Sequence, residues 1–315
     1  MLLQFAGPAL LPYLTPALSH LEATFEAEPD LRIRAWDSGS TGVALPPEVG
    51  ALEAHHERGM PGAAARGDIF AAYMRPDPGL SMFDAPAGEG VYWLPAAVRT
   101  PYEDRSGPFR GILNWFMSRN GRQFVHAAAI GNGHGNGILV VGRGGSGEVT
   151  NALTSNVAGR SYASDDYCLL EPGPEPVVHS LYATAKLHGD HLKRFPELEP
   201  KLANPHRIEM EKGVLLLREH FPERIVTSLR PLAVVVPRIT FQPGTRIVPT
   251  GRPRALAALA PSSLLQLAAT REHSMRLMAE LVRQLPAFEL QLGTELGEIP
   301  GAGRELIAAL EVRHG

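Results

Sequence analysis

Between Gly142 and Thr150 the chain reads GRGGSGEVT. Gly142, Arg143, Gly144, Gly145, Ser146, Gly147, Glu148, Val149 and Thr150 thus form a glycine-rich stretch that directly follows the apolar run GILVV. Glycines at this density let several backbone N–H groups converge on an anion at the start of a helix, whose dipole adds favourable potential. In the phosphate-loop pattern G-x-x-x-x-G-K-[ST], the lysine reaches the phosphates and the following hydroxyl binds magnesium. Gly142 and Gly147 match that pattern, whereas Glu148 and Val149 stand where the lysine and the hydroxyl belong. One unit charge about 5 Å from another is worth roughly 3 kcal/mol at an effective dielectric near 20, so glutamate for lysine turns an attraction into a comparable repulsion. Arg143, Lys186 and Arg238 are the candidates for replacement charge. Thr150 offers a hydroxyl one residue late, turned by about 100° on a helix.

The second group of reactive side chains is the acidic pair Asp165 and Asp166 in SYASDDYCLL. Phosphoryl transfer needs a carboxylate to position the nucleophile and oxygen ligands for magnesium, and adjacent carboxylates at a strand end can divide those roles. The competing reading is a solvated turn. His126, in the apolar run FVHAAAI, is either an active-site histidine or a satisfied core residue, and Lys186, in TAKL, either contacts phosphate or lies exposed. His134 sits between glycines and reads as a turn residue. Cys168 has no base or metal partner near it in sequence and reads as a small buried hydrophobe.

Several function classes are made improbable by composition. A chain of 315 residues, 44% hydrophobic and 20% charged, can bury a substantial core in one large or two modest domains. A formal charge of −3 provides no global basic field for nucleic acid or an anionic membrane. With Cys168 as the single cysteine, neither an intrachain disulfide nor a multi-cysteine zinc site can form, which fits a reducing cytoplasm. The opening MLLQFAGPALLPYLTPAL lacks a basic start and is broken by Pro8, Pro12 and Pro16, so it does not read as a signal peptide. No apolar run reaches the length of a membrane span.

These residues need elements to hold them. FVHAAAI and GILVV flank GNGHGNG, whose two Asn-Gly pairs predict a β-hairpin, and the second strand runs straight into the glycine stretch. NALTSNVAG then predicts a helix ending at Gly159, which completes the strand, glycine turn and helix that a phosphate loop requires. Further strands are expected in LRIRAWD, GVYWLPA, around the acidic pair, in VLLLREHF, in LRPLAVVVPRITF and in AFELQLG. RGILNWFMSRNG has helical spacing, and its Ile112, Leu113, Trp115 and Phe116 are expected to pack beneath a sheet. Ser262 or Ser263 is expected to cap a helix running through Leu281, and a last helix is expected around Arg304 to Leu310. The segment Pro46 to Gly67 is expected to be a surface excursion.

The succession FVHAAAI, ILVVGRGGSG and SYASDDYCLL resembles the C-terminal fold of the HPr kinase/phosphorylase family, in which a histidine strand, a phosphate loop and an acidic pair follow in this order. HSLYATAKL and VVPRITF are similar to a bacterial branch of HPr-kinase-related proteins, as are LTPALSHLE, IRAWDSGSTG and GILNWFMSRNGRQFVHAAA, so the resemblance covers most of the chain. It implies an α/β fold with a phosphoenolpyruvate-carboxykinase/HPr-kinase-like P-loop core over 121–315 and a smaller N-terminal α+β region over 1–120. The implied activity is ATP-dependent phosphoryl transfer to a serine or other hydroxyl of a peptide, protein or small molecule. Asp165 is implied as the base, Asp166 as its neighbour at a magnesium ion with Thr150, and His126 as the active-site histidine. The departures at Glu148 and Val149 leave open an inactive pseudokinase that binds a peptide or a partner enzyme, and self-association of the chain is open too. The sequence is equally compatible with those two residues being native or deliberate substitutions.

Overall fold

A computed structural model of the chain describes residues 1–47, 62–74, 78–142, 160–266 and 271–314. The chain divides into two compact units, Met1–Gly121 with Leu265–Arg271, and Arg122–Leu264 with Glu272–Gly315. The architecture is mixed α/β with several sheets.

The first unit holds a six-stranded sheet of β1 (Leu2–Phe5), β2 (Arg32–Asp37), β3 (Gly62–Arg66), β4 (Ile69–Met74), β5 (Gly79–Asp84) and β6 (Glu89–Leu94), in the order β1-β2-β6-β5-β4-β3. Alternation along LRIRAWD appears directly as alternating burial, with Ile33 and Ala35 buried and Arg34 exposed. Helix α1 (Arg110–Arg119) buries Ile112, Leu113 and Trp115, and Trp115 stacks on Phe70 of β4 with ring centroids 5.6 Å apart. Gly62–Arg66, expected within a surface excursion, is instead the edge strand β3, paired antiparallel with β4.

The second unit is built on β7 (Gln123–His126), β8 (Ala128–Gly131), β9 (Asn136–Val140), β10 (Ser161–Ser164), β11 (Tyr167–Glu171), β12 (Val177–Ser180), β15 (Ser228–Ile239), β16 (Arg246–Pro249) and β17 (Ala287–Leu292). A separate ribbon pairs β13 (Thr184–Leu187) with β14 (Gly213–Leu216). The expected hairpin is β8 and β9, turned through Gly133 and Gly135, each at φ 86°, where a side chain would be strained. β9, β15 and β17 run parallel, so their carboxyl ends, including Gly142 just past β9, lie at one edge of the sheet.

Successive residues of the apolar run in β9 serve opposite faces, and both faces are covered. Ile138 and Val140 join a core with Ile299, Leu306 and Ile307 of helix α4 (Ile299–His314). Leu139 and Val141 join a core with Ala255 and Leu259 of helix α2 (Arg252–Gln266) and Met278 and Leu281 of helix α3 (Arg271–Gln284). The cap expected at Ser262 or Ser263 is corrected: both lie inside α2, which begins ten residues before Ser262, and Ser263 Oγ donates to the carbonyl of Leu259 one turn earlier at 2.9 Å. A serine one turn into a helix satisfies its hydroxyl this way, so its presence alone does not mark a helix start.

Candidate functional site

β7 with β8, and β10 with β11, form one long antiparallel ribbon, and its register shifts between Tyr162 and Ser164. This bulge places Asp165 and Asp166 between the two strands of their own ribbon arm, opposite the break at Ala127, whose N–H donates to the carbonyl of Asp166 at 3.1 Å. Bulges re-aim side chains in this manner next to functional sites. Ala128, which pairs with Val140, stands two residues after His126, and Val140 stands two before Gly142. The register therefore brings the histidine, the acidic pair and the entrance to the glycine stretch to one end of β8 and β9.

Asp166 receives His126 Nε2 on Oδ1 at 3.0 Å and Lys186 Nζ on Oδ2 at 2.5 Å. Lys186 comes from β13 and touches both carboxylates, because its backbone N–H also donates to Asp165 Oδ2 at 3.2 Å. Its ammonium lies 5.6 Å from the centroid of the Tyr167 ring, and His126 meets the same ring edge-on at 5.3 Å. The backbone of His126 is fixed from α2, since its N–H donates to Ser263 Oγ at 2.9 Å. Tyr162 beneath the pair donates its hydroxyl to the carbonyl of Thr184 at 2.9 Å.

Two adjacent carboxyls thus acquire opposite character. Burial, followed by the negative charge of Asp166, pushes Asp165 up to about 7, against the lowering effect of the Lys186 N–H and the nearby cations. Burial acts on Asp166 in the same direction, but Lys186 and His126 outweigh it and hold that group well below the usual carboxylate range. Asp165 is 4% exposed, and its Oδ1 has no hydrogen-bond partner among the described residues. The arrangement can therefore hold or release a proton on Asp165 near neutral pH beside a fixed ion pair.

His126, Asp165, Asp166 and Lys186 are brought together, and Gly142 stands at the adjoining strand end. Arg143, Gly144, Gly145, Ser146, Gly147, Glu148, Val149 and Thr150 lie outside the described residues, as does Gly159. Asp166 engages one oxygen with His126 and the other with Lys186, and among the described residues no three His, Cys, Asp or Glu are arranged to hold a metal ion; Thr150, the other residue expected at magnesium, lies outside the described residues. Lys186 is not an exposed lysine; its side chain is 11% exposed. Ser263 and Tyr162, which brace the cluster, carry no sequence signal beyond Tyr162's nearness to the acidic pair. Cys168 is buried, and burial pushes its thiol up, which suits an inert core position.

No protein-family model matches the chain, and no curated protein matches it. Among solved structures it is similar to the Hpr(Ser) kinase/phosphatase from Coxiella burnetii at 11% identity, over 61% of this chain and 95% of that one, with a TM-score of 0.32.

Proposed function

We propose that the chain is an HPr-kinase-like phosphotransferase that moves a phosphoryl group from ATP to a serine or other hydroxyl of a peptide, protein or small molecule. The observation that carries this reading is Asp165: a buried carboxyl with one oxygen unpartnered among the described residues and a proton affinity near neutrality, beside the strand end that leads into the glycine stretch. In its ionised form Asp165 takes the proton of the acceptor hydroxyl as the oxygen bonds to phosphorus and the bond to the leaving diphosphate breaks. Asp166 stays ionised and holds Lys186 and His126 in place. Lys186 positions Asp165 through its backbone N–H.

The test is transfer from γ-labelled ATP to a serine peptide library by the full chain. Asp165→Asn is expected to lower the rate by about 10²- to 10⁴-fold while leaving ATP affinity in place. Absence of both transfer and ATP binding at millimolar concentration, with binding gained on Glu148→Lys plus Val149→Ser, would remove the reading. The engagement of both Asp166 oxygens favours a second reading, a binding module for a peptide or partner enzyme without transfer, for which Asp165→Asn is silent.

A further inference from the structure

A second cluster of charge lies across β15 from the acidic pair. Glu289 of β17 is buried, at 6% side-chain exposure, and its Oε1 accepts from Arg238 Nε of β15 at 2.8 Å and from Gln291 Nε2 at 2.9 Å. Its Oε2 pairs with Arg254 of α2. One carboxylate thus grips two guanidinium groups from different elements, yet their side chains remain 52% and 50% exposed. Arg246 of β16 joins Arg238 in one cross-strand row through Gln291, and Arg252 precedes Arg254 in the first turn of α2. Among the described residues no second carboxylate pairs with any of these four arginines.

Three features mark this surplus as a receptor and not as packing. The whole chain carries a formal charge of −3, so two arginines on one carboxylate, with two more on the adjoining β16 and α2, run against its overall balance. Cations in the first turn of a helix oppose the helix dipole and cost a few tenths of a kcal/mol, so Arg252 and Arg254 do not serve the stability of α2. Arg238 stands at the carboxyl end of β15, and ligands of parallel sheets collect at carboxyl strand ends. By register Val235 pairs with Val140, so Arg238 stands on the strand next to Gly142, with neighbouring strands about 4.8 Å apart.

We propose that Arg238, Arg254, Arg246 and Arg252 form a receptor for a phosphoryl-bearing anion. Guanidinium forks match phosphate oxygens two at a time, which a lone lysine does not. The proposal leans on the phosphotransferase reading only for the source of the phosphoryl group: the donor nucleotide or a phosphorylated side chain.

Calorimetric titration of the full chain with inorganic pyrophosphate at constant ionic strength tests it. Pyrophosphate is expected to bind; Arg238→Gln and Arg254→Gln are each expected to weaken it about tenfold, and Arg122→Gln, the same change in charge at an arginine paired with Glu171, is expected to leave it unchanged. No binding at millimolar pyrophosphate, or an affinity indifferent to both arginine changes in folded protein, overturns the proposal. If releasing Glu289 unfolds those variants, the double change Arg246→Gln with Arg252→Gln, which touches no buried carboxylate, decides: a loss of threefold or more supports the receptor and an unchanged affinity overturns it. Competition by ATP identifies the donor as ligand, whereas competition by O-phosphoserine and not by ATP identifies a phosphorylated side chain. Arginine-dependent pyrophosphate binding without any phosphoryl transfer would remove the proposed activity and leave the receptor standing.

Discussion

Asp166 and Glu289 are each a carboxylate held by two basic side chains, and they differ in what surrounds the cations. Lys186 and His126 are nearly enclosed, at 11% and 12% side-chain exposure, so the charge around Asp166 is spent inside the molecule. Arg238 and Arg254 are half open, so the cluster at Glu289 keeps positive charge for something outside. The same bonding pattern is therefore a brace in one place and a binding surface in the other, and exposure of the cation decides which. In the enclosed pair the interaction is strong but breaking it strands a charge, whereas exposed arginines contribute little to stability and remain available.

The largest break in that contrast is expected from Lys186→Met, which leaves Asp166 without its ammonium. A loss of about 3 to 5 kcal/mol is expected in urea unfolding, and a loss under 1 kcal/mol would show that the brace is not a brace. Next in size is a pH effect with a definite sign. Asp165 binds its proton more tightly when folded, so its contribution is present below its unfolded value near 4 and is lost as pH rises through about 7. Asp166 acts in the opposite sense: the stability it contributes is present above its unfolded value and disappears only in stronger acid. Between pH 5 and 7 Asp165 alone of the pair sets the slope, and unfolding free energies should fall by up to about 2 to 3 kcal/mol in the native chain and less in Asp165→Asn.

Smaller effects sharpen the comparison. Ser263→Ala removes the buried acceptor of the His126 N–H and is expected to cost about 1 to 3 kcal/mol, read by thermal unfolding. Arg252→Gln, at the open cluster, is expected to change stability by under 0.5 kcal/mol and to raise it slightly, since a cation leaves the first turn of α2. A loss above 1 kcal/mol there would mean that the arginines are structural after all.

The elements around the site were readable where local chemistry chose them. Asn132-Gly133 and Gly135 of GNGHGNG turn the β8–β9 hairpin, the alternation of LRIRAWD dictated β2, and LRPLAVVVPRITF emerged as the twelve-residue β15. The acidic pair and His126 were visible as residues capable of chemistry. The start of α2 was hidden, because Arg252 and Arg254 are unfavourable first-turn residues and Ser263, which suggested a cap, satisfies its hydroxyl one turn back. Glu289 drew no notice in AFELQL, since a single carboxylate in a strand usually faces water.

The order of residues determined by itself which side chains could act: glycines after an apolar run, two adjacent carboxylates, a histidine before them, and a glutamate where a phosphate loop has lysine. Those are local properties, set by side-chain chemistry and by the few backbone shapes that each dipeptide favours. Only the tertiary structure decided that Lys186, twenty residues past Asp166, belongs to it, and that residues 238, 254 and 289 form one cluster. It also split the acidic pair into an Asp165 whose carboxyl is pushed up to about 7 and an Asp166 held well below the usual carboxylate range. The reason is that Coulomb energy and desolvation depend on distance in space and on burial, and neither is written in separation along the chain.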